Sequence, residues 1–164
     1  MPNEQIFITA TLVGIGGTLI FDAVMALMAR FLGYTATNWR MVGRWMGHMP
    51  NGQFIQRSLK DAKPIPGENI LGWSFHYAIG IGYGLLLALI WGADWFADPQ
   101  LAQPMSLSIA LLVLPYFIMM PGMGLGIAAS RAPSPNVARL KSVFGHSVFG
   151  LGLFLAALVL EIVS

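Results

Sequence analysis

The stretch ILGWSFHYAIGIGYGLLLALIW, residues 70–91, runs without a single formal charge. Crossing the hydrocarbon core of a bilayer takes about 20 residues of helix, so this run alone points to a membrane protein. Three further runs flank it. Ile6 to Ala29 is interrupted only by Asp22, Ser106 to Ser130 carries no charge, and Ser142 to Val163 carries only Glu161. The first run reads as a span and not as a cleavable signal, because no basic segment precedes it and an acid lies inside it. The expected fold is therefore an all-α integral membrane protein, a single domain with spans at about 6–29, 70–91, 106–130 and 142–163.

Composition agrees. Of 164 residues, 56% are hydrophobic and 10% charged, against about 25% charged in soluble domains. There is too little polar surface to cover a water-soluble particle, and lipid is the simplest partner for the excess apolar side chains. The absence of cysteine excludes disulfides, thiolate metal sites and a cysteine nucleophile.

Charge placement sets the orientation. Arg30, Arg40, Arg44, Arg57, Lys60 and Lys63 lie between the first two spans, and Arg131, Arg139 and Lys141 between the last two. Between spans two and three stand only Asp94 and Asp98. Lysine and arginine are retained on the cytoplasmic side. Both basic loops are thus expected inside, with both termini outside. In the first loop Trp39, Val42, Trp45, Met46 and Met49 recur at helical spacing, with Arg40 and Arg44 on another face. That pattern predicts a short amphipathic helix on the cytoplasmic membrane surface.

The two halves of the chain echo each other. His76 to Gly82 and His146 to Gly152 both read His-x-x-apolar-Gly-apolar-Gly, and glycines crowd both span one (Gly14, Gly16, Gly17) and span three (Gly122, Gly124, Gly126). Two similar helical hairpins related by duplication would produce this pattern. Small residues at spacing four mark helix contacts in lipid: Ala10, Gly14, Thr18, Asp22 and Ala26 in span one, His76, Gly80, Gly84 and Ala88 in span two, Ser142, His146 and Gly150 in span four. Asp22, His76 and His146 share these stripes and are expected to face inward, at depths of roughly 12, 9 and 6 Å from the inner boundary. Pro115 and Pro121 should distort span three.

An ionisable residue inside the bilayer is a functional candidate by default. Asp22, His76 and His146 form the expected ligand-binding site, with Arg44 and Arg131 attracting anionic groups; the ligand would be a small molecule, an ion or a lipid headgroup, bound or translocated. Two alternatives stay open. His76 and His146 could be the ligands of a metal ion, or the axial ligands of a haem b. Alternatively, the glycine-rich faces could pack against a larger membrane complex, or against a second copy in a homodimer. No hydrolase, nucleotide-binding or zinc-protease motif is present, and no nucleic-acid partner is expected.

Several motifs also carry a resemblance. Val42-Gly43-Arg44-Trp45 with Gly47-His48-Met49, Glu68 with Leu71-Gly72-Trp73, His76-Tyr77-x-Ile79-Gly80, Gly124-x-Gly126-Ile127-Ala128-Ala129-Ser130, Pro133-x-Pro135 and His146-x-x-Phe149-Gly150-x-Gly152-Leu153 resemble a family of small bacterial inner-membrane proteins known only as a domain of unknown function. The resemblance spans nearly the whole chain and implies a bacterial inner membrane, but no activity. Where the family carries a Gln–Pro step, this chain has Met120-Pro121, which argues against a polar ligand from span three.

Overall fold

In lipid every backbone N–H and C=O must be satisfied within the chain, so an apolar run of this length has one simple solution, the helix. The computed structural model describes residues 2–163. It is all-helical among those residues, with no strand. The elements are α1 (Asn3–Leu32), α2 (Trp39–His48), α3 (Glu68–Ala97), α4 (Ala102–Ala110), a π-helical turn (Pro115–Met119), α5 (Met120–Gly122) and α6 (Pro135–Val163). Four stretches are long and apolar enough to cross a membrane: Glu4–Leu32, Glu68–Ala97, Ala102–Gly122 and Pro135–Ile162.

Local chemistry explains most of the ends. α1 stops at Gly33, which takes the left-handed conformation (φ 63°) that glycine adopts without penalty. α3 breaks at Gly92 (φ 67°, ψ −162°), directly after the apolar run ends at Trp91. α6 opens on Pro135, whose missing N–H is harmless in a first turn.

The third span departs from the expected 106–130. It begins at Ala102 and ends at Gly122. Pro115 cannot donate to the carbonyl one turn back, and the ladder shifts there, with Met120 N–H donating to the Pro115 carbonyl five residues earlier. Beyond Gly122 the chain leaves the helix for a turn with Gly124, Gly126, Ala128 and Ala129 all at positive φ. Hydropathy continues through this segment, which is why an apolar run overstates the helix.

The chain forms two compact units: Met1–Ala36, Tyr77–Ala110 and Phe144–Ser164 in one, Thr37–His76 and Leu111–Val143 in the other. In the first unit the small-residue stripe of α1 is a contact surface. A methyl at Gly14 would run into the Gly80 carbonyl, one at Gly80 into the Thr18 hydroxyl, and one at Gly84 into the Ala10 carbonyl. On α6, Gly152 lies against the Gly17 backbone, and Gly150 against the Pro104 carbonyl and Met105 of α4. Such close approach lets dispersion drive association where lipid leaves no hydrophobic drive.

In the second unit Val42, Trp45 and Leu59 are buried together, with Trp39, Phe75, Met119 and Met123 packed around them. The expected short helix is present as α2, and its apolar face packs on protein side chains.

Glycine packing gives a direct test. Gly14→Val or Gly84→Val should each cost about 1–3 kcal/mol in detergent-induced unfolding. Gly82→Val, where a Cβ would meet nothing within 4 Å, should stay within about 0.5 kcal/mol.

Candidate functional site

Glu68 opens α3, and its side chain is buried, 5% exposed. Burying a carboxylate is costly unless charge and hydrogen bonds compensate. Here Arg44 donates through Nε to Oε2 at 2.8 Å and through Nη2 to Oε1 at 2.9 Å. Arg40 donates through Nε to Oε1, and the Ile65 N–H to Oε2 at 3.2 Å. The third nitrogen of Arg44, Nη1, donates to the Ala62 carbonyl at 3.2 Å. One guanidinium thus joins α2, the 53–67 loop and the start of α3. The Glu68 hydrogen bond holds the Arg44 pKa above its ordinary value, against the opposing effect of burial.

Backbone contact permits this geometry. A methyl at Gly43 would strike the Glu68 carbonyl and one at Gly72 the Trp39 carbonyl. Trp45 Nε1 donates to the Phe54 carbonyl at 2.8 Å, and Gly122 lies on the Trp45 ring, where no Cβ would fit. His48, the last residue of α2, donates from Nε2 to the Lys63 carbonyl at 2.9 Å.

His76 is 5% exposed and belongs to the same unit. Its ring stacks on Trp39 (centroids 4.0 Å apart, planes at 22°) and meets Trp73 edge-on at 5.6 Å. One ring face is therefore covered by an indole. Asp22 and His146 belong to the other unit and are half-buried. There Tyr77 Oη donates to Asp22 Oδ2 at 3.1 Å. No three His, Asp or Glu side chains among the described residues stand close enough together to hold a metal ion.

Arg131 is exposed beside the turn that follows α5. Ala128 and Ala129 adopt left-handed φ of 47° and 59° there, at a cost of about 1–2 kcal/mol per residue. Besides backbone bonds such as Ala129 N–H to the Gly126 carbonyl, the turn is held by Arg131 N–H to the Leu125 carbonyl (2.8 Å) and Arg139 Nε to the Ala128 carbonyl (2.9 Å), with Tyr116 Oη donating to the Arg139 carbonyl (3.1 Å).

Of the residues singled out in the sequence, Arg44 and His76 fall in the second unit and take packed, partnered roles. Arg131 falls there too, at the surface. Glu68 stands out in the sequence only among the motifs that carry the resemblance, beside Leu71-Gly72-Trp73. The signal for its larger role was available: Arg40 and Arg44 are one turn apart, and Asp61 and Glu68 are the only acids in their loop. Tyr77 and the two indoles beside His76 carried no comparable signal.

The chain matches, over residues 11–160, the model of a family described as a protein of unknown function, DUF2938. It belongs to that family. No curated protein matches it, and neither does any solved structure. The family assignment and the four helices of spanning length together make this a multi-pass membrane protein of the DUF2938 family.

Two substitutions separate the buried from the exposed half of the ion network. Arg40, 58% exposed, should lose at most about 1 kcal/mol as Arg40→Gln. Glu68→Gln leaves Arg44 buried without its anion, and should lower the unfolding midpoint clearly further and expose the 53–63 loop to protease. In the strained turn, Ala128→Gly should leave stability unchanged or raise it by about 1 kcal/mol in the same unfolding assay.

Proposed function

We propose that this protein sits in a bacterial inner membrane with both termini periplasmic, and that its second unit binds a small anionic ligand on the cytoplasmic side. A lipid headgroup and a soluble phosphate compound share that chemistry. The carrying observation is charge segregation. Eight of the nine Lys and Arg residues lie in the second unit, against two acids, Asp61 and Glu68. Glu68 is engaged by two arginines. A surface this basic attracts anions and is retained on the cytoplasmic side.

The cations divide by role. Arg44 is a positioning residue, since each guanidinium nitrogen bonds within the fold. Arg57, Lys60, Lys63 and Arg131 are exposed and supply the anion contacts. A second reading, passage of an ion or proton through the membrane, rests on Asp22 and its Tyr77 hydrogen bond, because carboxylates on spanning helices so often mark ion pathways.

Native mass spectrometry of the purified protein with phosphatidylglycerol, phosphatidylcholine and inorganic pyrophosphate tests the first reading. Anionic species should bind and phosphatidylcholine should not. Arg131→Gln should weaken binding by about 1 kcal/mol, roughly fivefold, with its unfolding midpoint unchanged. Equal retention of all three species would overturn it. For the second reading, Asp22→Asn should abolish ion or proton flux in proteoliposomes and leave anion binding intact.

A further inference from the structure

Phe54 and Ile55 are 61% and 74% exposed, yet they are not on a loose loop. The Phe54 carbonyl accepts from buried Trp45 at 2.8 Å. Gln53 N–H donates to the His48 carbonyl at 3.3 Å and Gln56 N–H to the Gly122 carbonyl at 2.8 Å. A few residues on, Leu59 turns inward, 4% exposed, into the cluster with Val42 and Trp45. The fold thus buries one apolar side chain of this segment and presents two others outward on a backbone pinned at three points. Exposed Arg57, Lys60 and Lys63 follow them, with Asp61 the only acid in the 53–63 stretch.

We infer that Phe54 and Ile55 are an interfacial anchor, inserted into the acyl boundary of an anionic leaflet while Arg57, Lys60 and Lys63 lie at its headgroups. Rigid outward apolar side chains next to lysine and arginine are the chemistry that an anionic lipid surface recognises. The same unit already presents apolar side chains at the start of a spanning helix, with Ile70 73% and Trp73 41% exposed. The same unit would thus meet lipid at the start of that helix as well. This inference rests on the proposed cytoplasmic placement of the second unit only for which leaflet is entered.

The cysteine-free chain allows a clean experiment on the full-length protein. Ile55→Cys carries an environment-sensitive fluorophore, and the protein is reconstituted into phosphatidylglycerol vesicles. The emission should shift to the blue, resist quenching by aqueous iodide and be quenched by brominated acyl chains. Phe54→Ser should reverse part of the shift, as should neutralising Arg57 and Lys60 together. Water-like emission with full iodide quenching in these vesicles would overturn the anchor. So would shielding seen in native membranes but absent from pure lipid, which would assign the surface to a protein partner. In intact cells, a cysteine at exposed Asp61 (Asp61→Cys), beside the anchor at headgroup level, should stay unmodified by an impermeant thiol reagent until the membrane is opened. Reaction from outside would refute the cytoplasmic placement and leave the insertion measurement standing on its own.

Discussion

The second unit is organised around one buried carboxylate. Glu68 accepts hydrogen bonds from Arg44, Arg40 and the Ile65 backbone. A short polar arm has to bring two cations of α2 to the first residue of α3. The helices must therefore approach until their backbones touch, which is why Gly43 and Gly72 stand at the contact. Once α2 is held there, Trp45 faces the core, its indole N–H secures the Phe54 carbonyl, and Gly122 closes over its ring. A buried ion pair is a weak source of net stability, but breaking it by removing one partner strands a buried charge. Here the pair ties the polar face of α2 to the first residue of α3.

The spans were readable from the sequence because hydropathy and charge encode them directly. A charge-free run the thickness of a bilayer has one solution in lipid, and the segregation of basic residues needs no contact information. The α1 stripe was equally legible: Ala10, Gly14 and Thr18 at spacing four meet Gly84 and Gly80 where their missing bulk requires. What failed was a matter of backbone donors. Pro115 and Pro121 remove N–H groups, and the glycines after Gly122 remove the penalty for leaving the helix, so the third span ends before its apolar run does.

The site was legible in its residue types and much less in its roles. Arg44 was placed by helical periodicity on the polar face, and periodicity sorts residues by water affinity, not by partner. A buried arginine is visible only through the anion that neutralises it, and that anion lies 24 residues away in sequence. His76 has the same difficulty, since the stacking of Trp39 on its ring depends on where α2 docks. Asp22 differs: it lies on a stripe whose partner helix is identifiable, and Tyr77 of α3 reaches it.

Sorting the cations by their partners makes the functional argument sharper than net charge does. Arginine suits fixed, forked hydrogen bonding, and lysine is a hydrated point charge on a mobile stem. Arg44 and Arg139 use their forks within the fold, on Glu68 and Ala62 in one case, on Ala128 and Asn136 in the other. Each holds a segment that carries exposed cations: the 53–67 loop with Arg57, Lys60 and Lys63, and the strained turn with Arg131. A turn holding two alanines at positive φ persists only where its surroundings over-determine it, and Arg139 supplies part of that determination. Internal arginines therefore fix the places from which the outer cations are displayed. Under the proposed anion-binding function, losing Arg44 or Arg139 should disturb binding through geometry, whereas losing Lys60 or Arg131 should weaken it through charge alone, with a matching loss of salt dependence.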